Sequence, residues 1–321
     1  MGTRIKNVQV TQVVDGDTIE VQIGDRQEFV RLICVDTEES TPHPSPQTAK
    51  PVTEAGLASA KMAQDYFTDA KGELCQVDLE FDTDDPPEVC LDAHRGNCSR
   101  LVCYVHRGDS LYNLYLIREG WSPYFTKYGR SRLYDRLFTQ AEFEAQAHQR
   151  GIWNPEINEN GASRNYSSLV AWWAYRASII DEFRRLGDDS GAISIQLEYP
   201  KVLEAIESHR EIWIFCDLQG GIRKQAEGGA IVFTGSRLFP LKFWIPTASS
   251  SDGPMLVRSI VSRYAGRGRG YAYVRGRVTM HRGIPQIVLR HLWQLSDVPP
   301  LQPEYHRPEK GSIDYPRQSD L

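Results

Sequence analysis

Two short runs near the N-terminus hold most of the side chains that could do chemistry: VVDGDTIEV at 13–21 and VRLICVDTEES at 30–40. Asp17 and Asp36 are carboxylates at expected strand ends, each followed by a threonine, Thr18 and Thr37. Two carboxylates and a main-chain carbonyl form an all-oxygen donor set that suits a hard divalent cation such as Ca2+ or Mg2+. Glu38 and Glu39 come next and are candidate bases for a water beside that cation. Arg31 lies inside an otherwise apolar strand. A guanidinium there must be paired, and its fork matches phosphate or carboxylate. Arg100 opens the apolar run RLVCYV in the same manner. Cation, base and two guanidiniums are the parts that phosphodiester hydrolysis needs. Positive groups neutralise charge building on the phosphorane-like oxygens, and the glutamate takes a proton from water. Each motif alone has a plainer reading: Asp15-Gly16 as a hairpin turn, Arg31 as a structural bridge to Asp17 or Asp36, DTEE as a solvated turn. Their order, and their setting between strands, favours the chemistry.

The elements expected to position these residues alternate strand and helix signals. VQVTQVV, TIEVQI and EFVRLICV are β-rich runs separated by Asp-Gly and Gly-Asp turns. A helix is expected over 53–68, with Ala55, Ala58, Met62 and Tyr66 on its apolar face. Strands are expected at 75–81 and 101–106, with the polar stretch DTDDPPEVCLDAHRGN read as a loop between them. Helices near 111–119 and 132–150 stop at Gly120 and Gly151.

In this order the motifs resemble the staphylococcal nuclease family over residues 5–155. DGDT at 15–18, R-L-x-x-V-D-T-x-E at 31–39, the arginine of RLVCYV, REGW at 118–121 and GIW at 151–153 carry the resemblance. It implies a five-stranded OB-type barrel with three helices and a Ca2+-dependent phosphodiesterase acting on DNA and RNA, leaving 3′-phosphate ends, with Mg2+ or Mn2+ as alternative ions. By position, Asp17, Asp36 and the Thr37 carbonyl would hold the metal, Glu39 would be the general base, and Arg31 and Arg100 would clamp the phosphate. Two departures stand out. Glu38 replaces the family's proline, which is expected to add negative charge near the metal and loosen the turn. Gly96-Asn97-Cys98-Ser99 replaces Asp-Lys-Tyr-Gly, which removes a lysine and a tyrosine that contact a terminal phosphate. Tyr124 and Tyr128 lie near the family's substrate-facing tyrosines, with packing as the alternative.

Residues 156–190 read as a linker with a Trp-rich amphipathic helix over 167–186, and 191–298 as a second, β-rich domain with a helix near 255–264. In YAYVRGRVTM, Tyr271, Tyr273, Arg275, Arg277 and Thr279 fall on one strand face, and small or apolar residues on the other. Aromatic rings among guanidiniums suit stacked bases and phosphates. Arg290 on the partner strand and Arg267 and Arg269 just upstream extend the set. The pattern V-R-G-R-V-x-x-x-x-G-x-P-Q-I resembles strands of a nucleic-acid-binding OB fold. The plain alternative is a solvated sheet face. The tail 299–321 holds five prolines and is expected to be poorly ordered.

Charge is uneven. Residues 1–155 carry 16 Lys+Arg against 24 Asp+Glu, and 251–300 carry 8 Arg against 2 acids, so the halves suit a cation and a polyanion respectively. Hydrophobic residues make up 40%, enough for real cores, which excludes a wholly disordered chain. No apolar run reaches the ~18 residues of a membrane span. Six cysteines and an N-terminus without a signal-type apolar stretch suggest a cytoplasmic protein with reduced thiols and no membrane partner. Cys90, His94, Cys98 and Cys103 lack the close pair of a zinc site, and Cys103 falls at an inward-looking strand position, so a solvated loop with free thiols is expected instead. The expected fold is α+β and mainly β: an N-terminal nuclease-like OB barrel with three helices, a linker helix, and a C-terminal OB-type barrel. The expected function is metal-dependent hydrolysis of single-stranded DNA, with RNA as a second substrate. The rival is a non-catalytic single-strand-binding protein on a degenerate nuclease fold.

Overall fold

The computed structural model describes residues 1–42, 50–96, 98–157, 164–195, 197–225 and 228–300. The chain divides into two units, Met1–Asp181 with Gly235–Leu241, and Glu182–Thr234 with the described residues from Lys242 on. The division falls inside helix α5 (Tyr166–Leu186). The expected disordered tail lies outside the described residues beyond Val298-Pro299-Pro300.

The first unit is built on β1 (Arg4–Asp15), β2 (Thr18–Ile23), β3 (Arg26–Leu32), β4 (Gln76–Glu80) and β5 (Leu101–Arg107). Strand β1 pairs antiparallel with β2 and β4, β2 with β3, and β4 with β5. A parallel β3–β5 pairing closes the five strands into a barrel. The two-residue β6 (Ser110–Leu111) adds to the end of β5. Period-two alternation sends Val8, Val10, Ile19, Val21, Val30 and Leu32 inward, where all are buried. Each such residue contributes roughly 1.5–3 kcal/mol by leaving water.

Among the described residues four helices pack on this barrel: α1 (Glu54–Phe67), α2 (Pro87–Ala93), α3 (Tyr112–Arg118) and α4 (Asp135–Ala147). On α1 the buried stripe is Ala55, Gly56, Ser59, Ala63 and Phe67, rotated from the expected Ala55, Ala58, Met62 and Tyr66. Small residues at 56, 59 and 63 let the helix approach more closely than the larger side chains would. Helix α2 lies where a polar loop was expected. Cys90 on it is fully buried and donates to the Asp85 carbonyl, and His94 pairs with Asp85 at 2.8 Å, so these groups are not a solvated loop. Apolar Val89, Cys90 and Leu91 behind Pro86-Pro87 are the sequence signal for that helix.

The second unit holds β7 (Ala192–Ser194), β8 (Glu211–Asp217), β9 (Arg223–Gln225), β10 (Gly229–Gly235), β11 (Pro240–Ile245), β12 (Tyr271–His281), β13 (Ile284–Val288) and β14 (Leu295–Ser296), with helices α6 (Tyr199–Glu207) and α7 (Gly253–Ser259). The strand path runs β7-β8-β12-β13-β11-β10-β9, with β14 on β12. Among the described residues this path does not close, which corrects the expected C-terminal barrel. Both ends of the path are three-residue strands, and β9 is entirely exposed Arg223, Lys224 and Gln225. Such a short, charged edge resists further pairing. The β12–β13 hairpin turns through Arg282 and Gly283, both at positive φ as a tight two-residue hairpin turn requires.

Candidate active site

The site is assembled where β2 begins and β3 ends. Thr18 pairs with Arg31 in the β2–β3 register, and Arg31 with Val102 in the β3–β5 register. Closing the barrel therefore brings the two N-terminal motifs and the start of β5 together. Arg31 Nη2 lies 2.7 Å from Asp36 Oδ1 and 3.0 Å from Asp17 Oδ2. Its Nη1 donates to the carbonyls of Val35 (2.8 Å) and Leu32 (3.0 Å). Arg31 thus also makes the structural bridge weighed above: its fork holds the 32–36 loop in shape. Arg100 Nη1 donates to Thr18 Oγ1 at 3.3 Å, and Thr18 Oγ1 donates to Asp17 Oδ1 at 3.0 Å.

The loop after β3 is fixed from several sides. The Asp36 amide donates to Ser122 Oγ at 2.8 Å, and the Thr37 amide to Asp17 Oδ2 at 2.9 Å. The Phe125 amide donates to the Cys34 carbonyl. Helix α1 abuts the loop through Gly56, where a Cβ would meet the Glu39 carbonyl oxygen at 2.0 Å. Thr53 caps α1 by accepting from the Gly56 amide, and its own amide donates to the Glu39 carbonyl. Ser122, Thr53 and Gly56 escaped the sequence reading. Thr53 three residues before a glycine-containing helix turn was the available signal for a cap.

Glu38 is buried at 2% exposure, where added negative charge and a looser turn were expected. Thr53 donates to Glu38 Oε2, and Tyr166 Oη donates to Oε1 at 2.9 Å. Both contacts tighten the turn. Glu39 instead points outward, with Oε1 3.1 Å from Lys50 Nζ. Lys50 Nζ also reaches both Asp36 oxygens at 3.2 Å. Arg164, from the linker, donates through Nη1 to Asp36 Oδ2 (2.5 Å) and through Nη2 to the Thr37 carbonyl (2.8 Å). Burial alone would push the Asp36 carboxyl up, but Lys50, Arg164 and Arg31 outweigh it and hold it at about 2.

Asp17, Asp36 and the Thr37 carbonyl share this corner, a hard-oxygen set of the type a divalent cation takes. Among the described residues no three His, Cys, Asp or Glu side chains form a metal cluster, so any ion must use the carbonyl and water as well. Thr37 Oγ1 is buried and has no hydrogen-bond partner among the described residues, which fits a site that takes a bound water or ion. The donor types fit the group.

The tyrosines divide. Tyr124 is 4% exposed, donates to Asp135 and accepts from the Ser131 amide, the packing alternative weighed above. Tyr128 is exposed, against Phe125 and Lys127.

In the second unit the expected base-stacking face is partly covered. Tyr273 is 1% exposed. Phe183 stacks on Phe215 with centroids 4.2 Å apart, Phe215 stacks on Tyr271 at 5.1 Å, and Tyr273 packs against both Phe183 and Phe215. Tyr273 is therefore core, covered by the helix side chain Phe183 and by Phe215, and Tyr271 is half-buried against Phe215. Arg269 bonds the Tyr271 and Asp297 carbonyls and, with Arg263, pairs with the Asp297 carboxylate, so Arg269 is structural. Arg275 is exposed, pairs with Glu211 at 3.1 Å and lies over the Trp293 ring. Arg267, Arg277 and Arg290 are exposed.

The family model for staphylococcal nuclease homologues matches residues 29–155, a span that holds Arg31, Asp36, Thr37, Glu39 and Arg100 but not Asp17. A thermonuclease of Staphylococcus intermedius is 33% identical over 144 residues, 45% of this chain and 74% of that protein. A thermonuclease of Staphylococcus hyicus is 29% identical over 147 residues, 46% of this chain and 75% of that one. Endonuclease YncB of Bacillus subtilis is 27% identical over 154 residues, 47% of this chain and 63% of its own length. Residues 156–321 lie outside the family match. With the closed barrel and its matched segment, the chain belongs to the staphylococcal nuclease family and carries a nuclease domain of that family at residues 29–155.

Proposed function

We propose that the protein hydrolyses phosphodiester bonds of single-stranded nucleic acid, DNA first and RNA second, leaving 3′-phosphate ends. Asp17, Asp36 and the Thr37 carbonyl would hold a divalent cation, Ca2+ foremost. That ion supplies positive charge to the phosphoryl oxygens. The Glu39 carboxylate accepts the proton of the attacking water, and general-base help of this kind contributes ~10²–10⁴-fold. Arg100 and Arg31 stabilise charge on the pentacoordinate phosphorus, and the 5′ oxygen leaves. Asp17, Ser122 and Gly56 position the loop that carries the base and metal ligands. The observation that carries this reading is the meeting of Asp17, Asp36 and Arg31 within 3.0 Å, with Glu39 joined to Asp36 through Lys50.

The exposed arginines of the second unit, Arg267, Arg275, Arg277 and Arg290, would hold the strand and raise its local concentration. Arg275 is easily released to a phosphate, since its pair with Glu211 is exposed and such pairs contribute about 0–1 kcal/mol. Exposed Trp293, stacked with His291, would become a base platform in place of Tyr271 and Tyr273 once Arg275 leaves its ring. Free thiols and the absence, among the described residues, of any helix long and apolar enough to cross a membrane are compatible with a cytoplasmic setting, which belongs to the same proposal. Cleavage of labelled single- and double-stranded oligonucleotides with Ca2+, Mg2+, Mn2+ or EDTA tests it. Activity that survives EDTA overturns the metal assignment, and equal rates on both substrates overturn the strand preference.

A further inference from the structure

Arg164 lies outside the family-matched segment, yet its guanidinium contacts two of the three groups assigned to the metal. Its Nη1 takes Asp36 Oδ2, its Nη2 takes the Thr37 carbonyl, and its side chain is only 14% exposed. The other Asp36 oxygen already accepts from Arg31 and Lys50. A planar fork with two parallel donors places a fixed positive charge on two of the oxygens that would hold the ion. A guanidinium seated on these oxygens puts its bulk and its positive charge where the ion would sit, so the two compete.

We propose that Arg164 is a tethered cation that occupies the divalent-ion position, so that metal entry and withdrawal of the linker arginine are one exchange. The inference rests on the metal assignment above. Tyr166 fixes the arginine's reach. It starts α5, its ring packs on Trp153 at 5.5 Å, and its hydroxyl holds buried Glu38, the residue standing where the family has proline. A loop proline could accept no such bond, so the Glu38 substitution and the linker contact form one device. A cavity of about 590 Å3 lined by Gln146, Gln149, Trp153, Arg164 and Asn165 gives the side chain room to withdraw without unfolding the barrel. Linkage then requires reciprocity: the ion weakens the linker contact by the factor by which the contact weakens the ion.

Titrate Ca2+ alone into the full chain by calorimetry while following tryptophan emission, for wild type, Arg164→Gln and Arg164→Lys. Arg164→Gln should bind Ca2+ about tenfold or more tightly, within the usual range of coupled sites. Arg164→Lys keeps the charge but cannot span both oxygens, and should fall between. In wild type Ca2+ should shift the emission of Trp153, and in Arg164→Gln that shift should shrink. Equal affinities in all three proteins overturn the exchange and leave the metal assignment standing. Tightening in Arg164→Gln with Arg164→Lys equal to wild type also overturns it, since charge alone then suffices. If no variant binds Ca2+, the metal assignment fails and the exchange fails with it.

Discussion

The barrel site and the β12 face of the second unit present guanidiniums from strands in opposite ways. At the barrel, Arg31 is drawn in by two carboxylates and two carbonyls, so an arginine expected to face a phosphate is also a structural tie. On β12, alternation groups Tyr271, Tyr273, Arg275 and Arg277 on one face, but Phe183 and Phe215 cover Tyr273 and Phe215 stacks on Tyr271, while Arg275 and Arg277 stay in water. Strand periodicity assigns a side chain to a face. It does not say whether another element roofs that face or whether acids from elsewhere meet it. Asp297 and Glu211 pair with Arg263, Arg269 and Arg275.

The sharpest way to break this contrast is at the base. Glu39→Gln should lower kcat by ~10²–10⁴-fold with an unchanged circular dichroism spectrum, because Glu39 is half-exposed and makes few ties. A variant with full turnover removes Glu39 from the reaction. Arg31→Ala is a poorer probe of chemistry. It leaves two buried carboxylates without their shared partner, a change that costs about 3–5 kcal/mol when a buried pair is broken.

On the other side of the comparison, Tyr273→Ala should destabilise the second unit by about 3–5 kcal/mol, as expected for emptying a large core position. A change below about 1 kcal/mol in denaturant unfolding would return Tyr273 to the surface. Buried carboxylates supply a third test. Cations hold Asp36 low, whereas burial pushes Glu142 up to about 7 against the pull of the Tyr124 amide. A raised carboxyl binds its proton more tightly when folded, so its stabilisation is full below about pH 4.5 and is lost as pH rises to 7. Glu142→Gln should flatten that fall, worth about 1–3 kcal/mol. An unchanged pH profile of unfolding would show Glu142 to be well solvated. The smallest effect is expected for Arg277→Ala: weaker oligonucleotide binding and a log–log salt slope lower by about 0.7. An unaltered slope would exclude Arg277 from phosphate contact.

Much of the barrel site could be read from residues alone. The reason is that Arg31 sits on β3, and Asp17, Asp36 and Arg100 lie in the turns and loops at the ends of strands whose register follows from alternation and short turns. The helices were legible where an apolar stripe repeats, as in α4 and α5. Helix α6 was missed because nine residues carry only two fully buried positions, Val202 and Ala205. Arg164 and Tyr166 were also missed: their partners lie 128 residues away, and no local pattern records so distant a contact. The open second sheet was unforeseen because closure depends on edge strands too short to show a period.

The Tyr166–Glu38 hydrogen bond limits how this nuclease can be transplanted. A graft that stops at the family boundary would leave a loop carboxylate in the interior with one fewer donor. Minimal versions of the catalytic module should therefore be cut after α5, or should restore proline at position 38. The border drawn by ancestry and the border drawn by folding differ here by at least eleven residues, since the match stops at 155 and the tie is made at 166.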